Sequence, residues 1–171
     1  MTLRLIGISG KMGTGKSTLT RMMSKHIENM HIMKFATPLY DIQDSIYSKL
    51  NLELQGEKDR ELLVAIGNWA RSKDSDIFAK TALASAEDIL KFSKATVVFD
   101  DVRFENEADM IVAMGGLLIR IEGDQRGPNL DETLMKSRTE TALDNYEFEH
   151  RISNKTDKID LIHQFMSIYK K

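Results

Sequence analysis

The chain has 171 residues, no cysteine and a formal charge of −2 at pH 7. This length predicts one domain over residues 1–171, with a core that needs no covalent cross-links, and the lack of cysteine excludes disulfides and thiol catalysis. No signal-like segment and no run of eighteen apolar residues occurs, so we expect a soluble protein of the cytoplasm. The near-neutral charge argues against direct binding of nucleic acid, and no membrane partner is expected.

A phosphate-binding motif follows the first predicted strand. Residues 2–9 are almost continuously apolar, which is typical of a strand buried on both faces of a sheet. The next residues fit the pattern G-x-x-x-x-G-K-S/T, whose glycines let successive N–H groups turn toward a polyphosphate. A helix that starts directly after the loop presents its positive end to the same anion. This predicts an ATP site made by Gly10, Lys11, Gly13, Thr14, Gly15, Lys16, Ser17 and Thr18.

Two side chains of this motif have expected roles in phosphoryl transfer. Lys16 is predicted to lie along the β- and γ-phosphates of ATP as a catalytic cation. The Ser17 hydroxyl is predicted to bind Mg²⁺, whose other ligands are mostly water and phosphate oxygen. The helical pattern that carries this motif runs from Ser17 to about Asn29.

Three helices are predicted between the second and third strands. A short strand over 31–35 is followed by Pro38, which is well placed to begin a helix. After a polar connection over 51–58, a second helix over 59–72 is expected to turn inward Leu62, Leu63, Ile66, Trp69 and Ala70. A third helix follows over 77–92. This helical insertion, about 36–94, is where a P-loop kinase holds its second substrate.

Two adjacent acids follow the third predicted strand, which covers 95–99. Ligands of parallel α/β sheets bind at the carboxyl ends of the strands, so Asp100 or Asp101 is expected to orient a Mg²⁺-bound water or the attacking group. Asp100 is a candidate for Mg²⁺ through water. An aspartate here can instead cap the helix predicted over 104–114.

The remaining elements complete an alternating pattern. A fourth strand is predicted over 117–121, a polar and irregular segment over 122–138, a helix over 139–145, a fifth strand over 151–154 and a C-terminal helix from Ile159. The polar segment has the composition of a lid-like flap over the phosphates. Alternating strands and helices predict an α/β fold, here a three-layer P-loop NTPase with a mainly parallel sheet flanked by helices.

Arginines favour a kinase over other P-loop proteins. Transfer of a phosphoryl group between two polyanions needs cations on both sides, and guanidinium groups bind phosphate in a bidentate way. Arg71 lies in the helical insertion, Arg103 follows the paired acids, and Arg126 lies in the predicted flap. Together they favour an enzyme whose acceptor is itself a phosphate.

A GTPase is a weaker alternative. Residues 154–157 read Asn-Lys-Thr-Asp, the letters of a guanine-reading motif, but the predicted strand before them is short and lies near the C-terminus. A GTPase is also expected to carry an Asp-x-x-Gly switch, and Arg103 stands where the glycine of Asp100-x-x-Gly belongs.

Several segments resemble the phage deoxynucleoside monophosphate kinase family, in the family's order and spread over most of the chain. They are Lys34–Leu39, Leu63–Gly67 with Arg71, Asp76–Phe78, Val98–Glu107 and Thr139–Leu143. The most distinctive piece is Asp101-Val-Arg103-Phe-x-x-Glu107. The chain departs from the family where Thr37 replaces a frequent aspartate and Ser137 a frequent histidine, which puts the preference for base or sugar in doubt.

This resemblance implies an adenylate-kinase-like fold and transfer of the γ-phosphate of ATP to a (deoxy)nucleoside monophosphate in DNA precursor synthesis. It implies that Lys16 and Ser17 hold ATP and Mg²⁺, and that Asp101 lies beside the acceptor phosphate. Arg71 and Arg103 are expected to grip the monophosphate and Arg126 to close on the transferring group, so that Lys16, Asp101, Arg103 and Arg126 are the catalytic candidates. The monophosphate is expected to bind Phe35, Thr37, Arg71, Asp101, Arg103 and Glu107. The expected location is the cytoplasm, that of the host if a phage encodes the chain.

Three points stay open from sequence alone. The acceptor can be another phosphorylated small molecule, such as dephospho-coenzyme A. The chain can also be an ATP-binding regulatory module without transfer activity. A homodimer is possible, since methionine-rich helices can form adaptable interfaces as well as fill a core.

Overall fold

A computed structural model describes residues 4–124, 136–155 and 158–170, and its centre is a five-stranded sheet. The strands are β1 (Leu5–Ser9), β2 (Met30–Met33), β3 (Thr96–Val102), β4 (Leu117–Glu122) and β5 (His150–Ser153). Their order across the sheet is β2-β3-β1-β4-β5, and every pair is parallel. The predicted α/β class with a parallel sheet is confirmed.

The central position of β1 explains its apolar sequence. It pairs with β3 on one side and β4 on the other, and all five of its residues are buried. A strand covered on both faces and both edges has no solvated side, so the alternation typical of surface strands is absent. The end of β1 delivers the phosphate-binding loop to the middle of the sheet edge.

Helices cover both faces of the sheet. They are α1 (Lys16–Met23), α2 (Thr37–Leu50), α3 (Arg60–Lys73), α4 (Ile77–Phe92), α5 (Glu105–Ala113), α6 (Arg138–Thr141) and α7 (Lys158–Tyr169). Side chains of α1 and α7 form one buried cluster with the sheet, and those of α4 and α5 form another on the opposite face. The molecule therefore has the three predicted layers.

The helices α2 and α3 pack outside these two cores. Leu39, Ala70 and Phe78 form a small buried cluster of their own, which joins α2, α3 and the start of α4. Trp69, predicted to face inward, is 64% exposed, and that prediction is wrong. The reason is that α3 packs on one narrow side only, around Gly67 and Ala70, so the apolar stripe is wider than the surface that covers it.

Several predicted boundaries differ from the observed ones. Helix α1 ends at Met23 rather than Asn29, and Asn29 has a positive φ of 52° in the turn before β2. Strand β2 ends at Met33 instead of residue 35, and β3 continues through both acids to Val102. The helix predicted over 139–145 is only the short α6. Most of the predicted flap, residues 125–135, lies outside the described residues.

No helix within the described ranges is long and apolar enough to cross a membrane.

Gly7 tests the packing of β1 against α5. A Cβ atom at Gly7 meets Ile111 Cδ1 at 2.5 Å and Leu118 Cδ1 at 3.0 Å. We expect Gly7→Val to lower the free energy of unfolding by about 1–3 kcal/mol through overpacking, measured by urea denaturation. Val112→Ala, on the exposed side of α5, is the control and should change stability little. Equal stability of Gly7→Val and the parent would contradict the tight packing.

Candidate active site

The loop between β1 and α1 is shaped by glycines. Gly13 and Gly15 have φ of 80° and 104°, a region that side chains with a Cβ atom rarely adopt. A Cβ atom at Gly10 lies 2.8 Å from the Ile121 carbonyl oxygen, so the loop also passes close to β4. Within the loop, the buried Thr14 donates its hydroxyl to the Lys11 carbonyl at 2.8 Å. The first residues of α1, Lys16, Ser17 and Thr18, line a cavity beside the loop.

Lys16 is the first residue of α1 and folds back over the loop. Its ammonium donates to the Gly10 and Lys11 carbonyl oxygens at 2.5 and 2.9 Å. Burial lowers the pKa of Lys16 to about 8, and the nearby positive charge of Arg103 adds to this effect while Glu140 opposes it. A buried ammonium that is held by neutral carbonyls favours the arrival of an anion.

Lys16 lies at a cavity of about 430 Å³ between the loop and α2. One wall is the phosphate-binding loop with Ser17 and Thr18, and the other walls carry Asp100, Asp101, Arg103, Lys34, Ala36, Tyr40 and Lys58. The Lys58 ammonium lies 5.0 Å from the centre of the Tyr40 ring. Cations therefore line this cavity from the loop, through Lys16, and from other segments, through Lys34, Lys58 and Arg103.

The two acids at the end of β3 have different environments. Both oxygens of Asp101 accept backbone N–H groups, from Phe35 at 2.9 Å and from Ala36 at 3.1 Å. Burial raises the pKa of the Asp101 carboxyl, although these N–H bonds oppose the rise. Asp101 thus ties the start of α2 to the sheet, and Asp100 beside it is the acid available to a metal or substrate.

Oxygen donors for Mg²⁺ are present in the cavity. The Ser17 hydroxyl and the Asp100 carboxylate both line it, and Mg²⁺ prefers such oxygen ligands together with water and phosphate. The described residues contain no cluster of three or more histidine, cysteine or acidic side chains that could hold a metal by themselves. This donor set fits a metal that arrives with its nucleotide.

Arg103 is held by a buried carboxylate that sequence analysis did not select. Glu140, on α6, accepts from Arg103 Nη1 at 2.5 Å and from the Met12 backbone N–H at 2.6 Å. Its side chain is 2% exposed, whereas that of Arg103 is 33% exposed. Glu140 lies within the segment Thr139–Leu143 that resembles the kinase family, which was the only signal for it in the sequence.

A second ion-pair cluster lies behind the loop. Asp144 accepts from Lys11 Nζ at 2.9 Å and from Arg120 Nη2 at 3.2 Å, and Arg120 also donates to the Ser9 hydroxyl at 3.1 Å. Burial lowers the pKa of Arg120. Lys11, predicted to bind ATP, is thus turned toward Asp144.

Arg71 occupies a neighbouring cavity of about 460 Å³ with Phe104, Asn106 and Arg138. Its guanidinium carbon lies 4.8 Å from the Phe78 ring centre and 4.4 Å from the Phe104 ring centre, so it is held between two aromatic rings. Arg138 lies 5.7 Å from the centre of the Phe104 ring. The sequence analysis places Arg71 and Arg103 at the same monophosphate, whereas in the structure they line two different cavities.

Glu107 shapes the turn that carries Arg103. Its Oε2 accepts the backbone N–H groups of Arg103 at 2.8 Å and Phe104 at 3.1 Å, at the start of α5. Burial raises the pKa of Glu107 to about 7. This carboxyl, rather than that of Asp100, caps the helix.

Three other predicted site residues lie elsewhere. The Phe35 side chain is 2% exposed and stacks on Phe99 in the core with ring centres 4.3 Å apart. Only its backbone N–H contacts Asp101. Thr37 is the exposed first residue of α2 and does not line the cavity. Arg126 lies outside the described residues.

Asn154 supports the loop from the end of β5. Its side-chain amide donates to the Thr14 carbonyl at 2.9 Å, and a Cβ atom added at Gly15 would overlap that amide. The contact places the first residue of the possible guanine-reading motif against the loop. Residues 156 and 157 of that motif lie outside the described residues.

Comparison with solved structures identifies the fold. A protein called TT1252 from Thermus thermophilus matches with a TM-score of 0.59 at 13% identity, over 98% of this chain and 96% of that one. Dephospho-CoA kinase from Campylobacter jejuni matches with a TM-score of 0.55 at 16% identity, over 98% and 96% of the two chains. Shikimate kinase from Aquifex aeolicus matches with a TM-score of 0.51 at 12% identity, over 97% and 96%.

Sequence-based comparisons are negative. No protein-family model and no curated protein matches the chain. The structural likeness, together with the parallel order β2-β3-β1-β4-β5, shows the fold of the P-loop kinases.

The burial of Lys16 predicts a pH effect on stability. The lysine has a pKa near 10.5 when unfolded and about 8 when folded, so between these values the unfolded chain binds more protons. We expect the unfolding free energy of the ligand-free protein, relative to Lys16→Met, to rise from pH 8 to pH 10.5 by at most about 3 kcal/mol. Urea denaturation at several pH values measures this difference, and a constant difference would contradict the burial of the charge.

Proposed function

We propose that this chain is an ATP-dependent kinase that transfers the γ-phosphoryl group of ATP to a (deoxy)nucleoside monophosphate. One observation carries the proposal: cations line a single cavity both from the phosphate-binding loop, through Lys16, and from other segments of the chain, through Arg103, Lys34 and Lys58. A site for one nucleotide alone has no need of the second set. Two polyanionic substrates need both sets, because their mutual repulsion must be offset where they meet.

The loop and Lys16 hold the donor phosphates. When ATP binds, the Lys16 ammonium exchanges its bonds to the Gly10 and Lys11 carbonyls for phosphate oxygens, and the loop N–H groups and the start of α1 hold the anion. Ser17 and Asp100 are the residues that hold Mg²⁺, directly or through water. The bound metal supplies neutralisation of charge on the transferred group.

The part of the cavity beside Arg103 holds the acceptor. Arg103 donates to the acceptor phosphate with the N–H groups that do not contact Glu140, and Lys34 and Lys58 line the same cavity as further cations. Asp101 keeps the start of α2 in place beside these groups. The protein thus accelerates transfer by positioning both phosphates in line and by neutralising charge.

Two further acceptors or donors have support. The likeness to a dephospho-CoA kinase favours a phosphorylated small molecule other than a mononucleotide as the second candidate acceptor. Asn154 is the first residue of the possible guanine-reading motif and contacts the loop, so GTP is the second candidate donor and has to be compared with ATP. A regulatory module that binds ATP without transfer remains the alternative if no acceptor stimulates ADP release.

The direct test is ADP release from Mg·ATP or Mg·GTP with each nucleoside monophosphate and with dephospho-coenzyme A. We expect strong stimulation by at least one deoxynucleoside monophosphate and none in Lys16→Ala, which should keep its folded circular-dichroism spectrum. Stimulation by dephospho-coenzyme A alone would select the second acceptor. Slow release indifferent to every acceptor tested would reject these acceptors and turn the search to other small molecules or a protein partner, and an active Lys16→Ala would reject the role of the loop.

Arg103 provides a test of the acceptor side. Since charged hydrogen bonds contribute about 1.5–3 kcal/mol, we expect Arg103→Ala to raise the KM for the monophosphate by roughly 10- to 100-fold and to leave the Kd for ATP nearly unchanged. Arg21→Ala, at an exposed position of α1, is the matched control and should behave as the parent. Equal losses for ATP and monophosphate would move Arg103 out of the acceptor site.

A further inference from the structure

Glu140 is a buried acid that the proposed chemistry does not use. It lies on the four-residue helix α6, and its side chain is 2% exposed. Carboxylates are seldom buried without partners, because removal of a charged group from water costs on the order of several kcal/mol in a protein. The partners of Glu140 therefore indicate what it is for.

Those partners belong to two different parts of the site. Oε2 accepts the backbone N–H of Met12 in the phosphate-binding loop at 2.6 Å. Oε1 accepts from Arg103 Nη1 at 2.5 Å. One carboxylate thus bridges the loop that holds the donor and the arginine that faces the acceptor, although these groups are far apart in sequence.

The bridge leaves Arg103 able to bind a ligand. A guanidinium has five N–H donors in a planar fork, and Glu140 uses Nη1. The Arg103 side chain is 33% exposed and lines the cavity that Lys16 also lines. Since one side of the fork is fixed by a buried acceptor, the direction of the other donors is fixed as well.

We propose that Glu140 is a positioning residue that aims Arg103 at the acceptor phosphate and aligns that phosphate with the loop. This inference rests on the proposed kinase function. The ordinary alternative is that Glu140 only anchors α6 to the loop. The two differ in one respect: a positioning role acts through Arg103, so it disappears when Arg103 is absent.

Glu140→Gln isolates this role. The amide keeps the shape of the carboxylate but has one acceptor oxygen in place of two, so it cannot accept from both Met12 and Arg103. Asp109→Asn is the matched control, because it alters the bond of Tyr146 to α5 in the turn after α6 and touches neither Arg103 nor the loop. Glu140→Asp replaces Glu140→Gln if the latter does not fold.

The experiment is a double-mutant cycle of Glu140→Gln and Arg103→Ala, with the KM for the monophosphate, the Kd for ATP and kcat as readouts. We expect Glu140→Gln to raise the monophosphate KM about tenfold and to change the ATP Kd by less than about threefold. In the Arg103→Ala background Glu140→Gln should change the monophosphate KM no further. Asp109→Asn should match the parent.

Each other outcome has a definite meaning. The same rise in monophosphate KM in both backgrounds would overturn the inference and leave Glu140 as an anchor of the loop. So would parallel losses for ATP and monophosphate. An unchanged Glu140→Gln in an active enzyme would overturn the inference alone, whereas a parent enzyme that phosphorylates no monophosphate would remove the proposed function and this inference together.

Discussion

The burial of one cation governs the arrangement of this site. Strand β1 is covered on both faces and both edges, and the loop that follows it leads directly into α1, where Lys16 is partly buried. Lys16 must then lose much of its hydration, and within the described part of the chain its ammonium donates to two backbone carbonyls instead of a carboxylate. Neutral oxygens compensate a buried charge only in part. An anion bound beside the ammonium would offset the remaining deficit.

The other charged side chains around the loop form two separate groups of ion pairs, one centred on Asp144 and one on Glu140. Asp144 joins Lys11 and Arg120 behind the loop. Lys11 and Asp144 are each about one-third exposed, so their pair contributes little to stability, whereas the Arg120 side chain is 10% exposed. Glu140 and Arg103 lie in front of the loop, and Glu140 is almost fully buried. Removal of Arg103 leaves the Glu140 charge with little access to water, which is the more costly loss, whereas Arg103 itself is 33% exposed.

The separation of these two groups follows from the length of one turn. Glu140 and Asp144 are four residues apart, yet α6 ends at Thr141 and the chain then turns. Their carboxylates can therefore bind two different residues of the same loop, Met12 and Lys11. A longer helix would place both acids on one face.

The sequence predicts the parts of the fold that local patterns determine. The glycine motif, the buried β1 and the alternation of strands and helices require no knowledge of distant contacts, and their main features are confirmed. Glu140 was missed because its two partners lie 128 and 37 positions away, and nothing local distinguishes it from a surface glutamate. The roles predicted for the site residues stay predictions, although Lys16, Asp100, Asp101 and Arg103 do share one cavity.

Other misplacements arise from tertiary packing that overrides a local rule. Trp69 has the helical spacing of a core residue, but α3 is covered along a strip too narrow to include it. Phe35 was expected beside the substrate, yet its ring stacks on Phe99 and only its N–H reaches Asp101. Trp69 was placed on the right helix, and the side that it faces depended on which neighbour covers that helix. Phe35 was predicted to end β2, which stops at Met33, and its side-chain direction depended on Phe99.

The position of Arg71 bears on how the two predicted acceptor arginines could act together. Its guanidinium lies between Phe78 and Phe104, in a cavity next to the one that holds Arg103. Since the two arginines line different cavities, simultaneous contact of both with one phosphate requires a change in the Arg71 side chain or a shift of α3. The small cluster of Leu39, Ala70 and Phe78 that holds α2 and α3 is separate from the two large cores. A shift of α3 therefore disturbs few buried contacts, whereas a shift of Arg103 would break its bond to Glu140. Movement of α3 toward an acceptor thus costs less free energy than movement of Arg103.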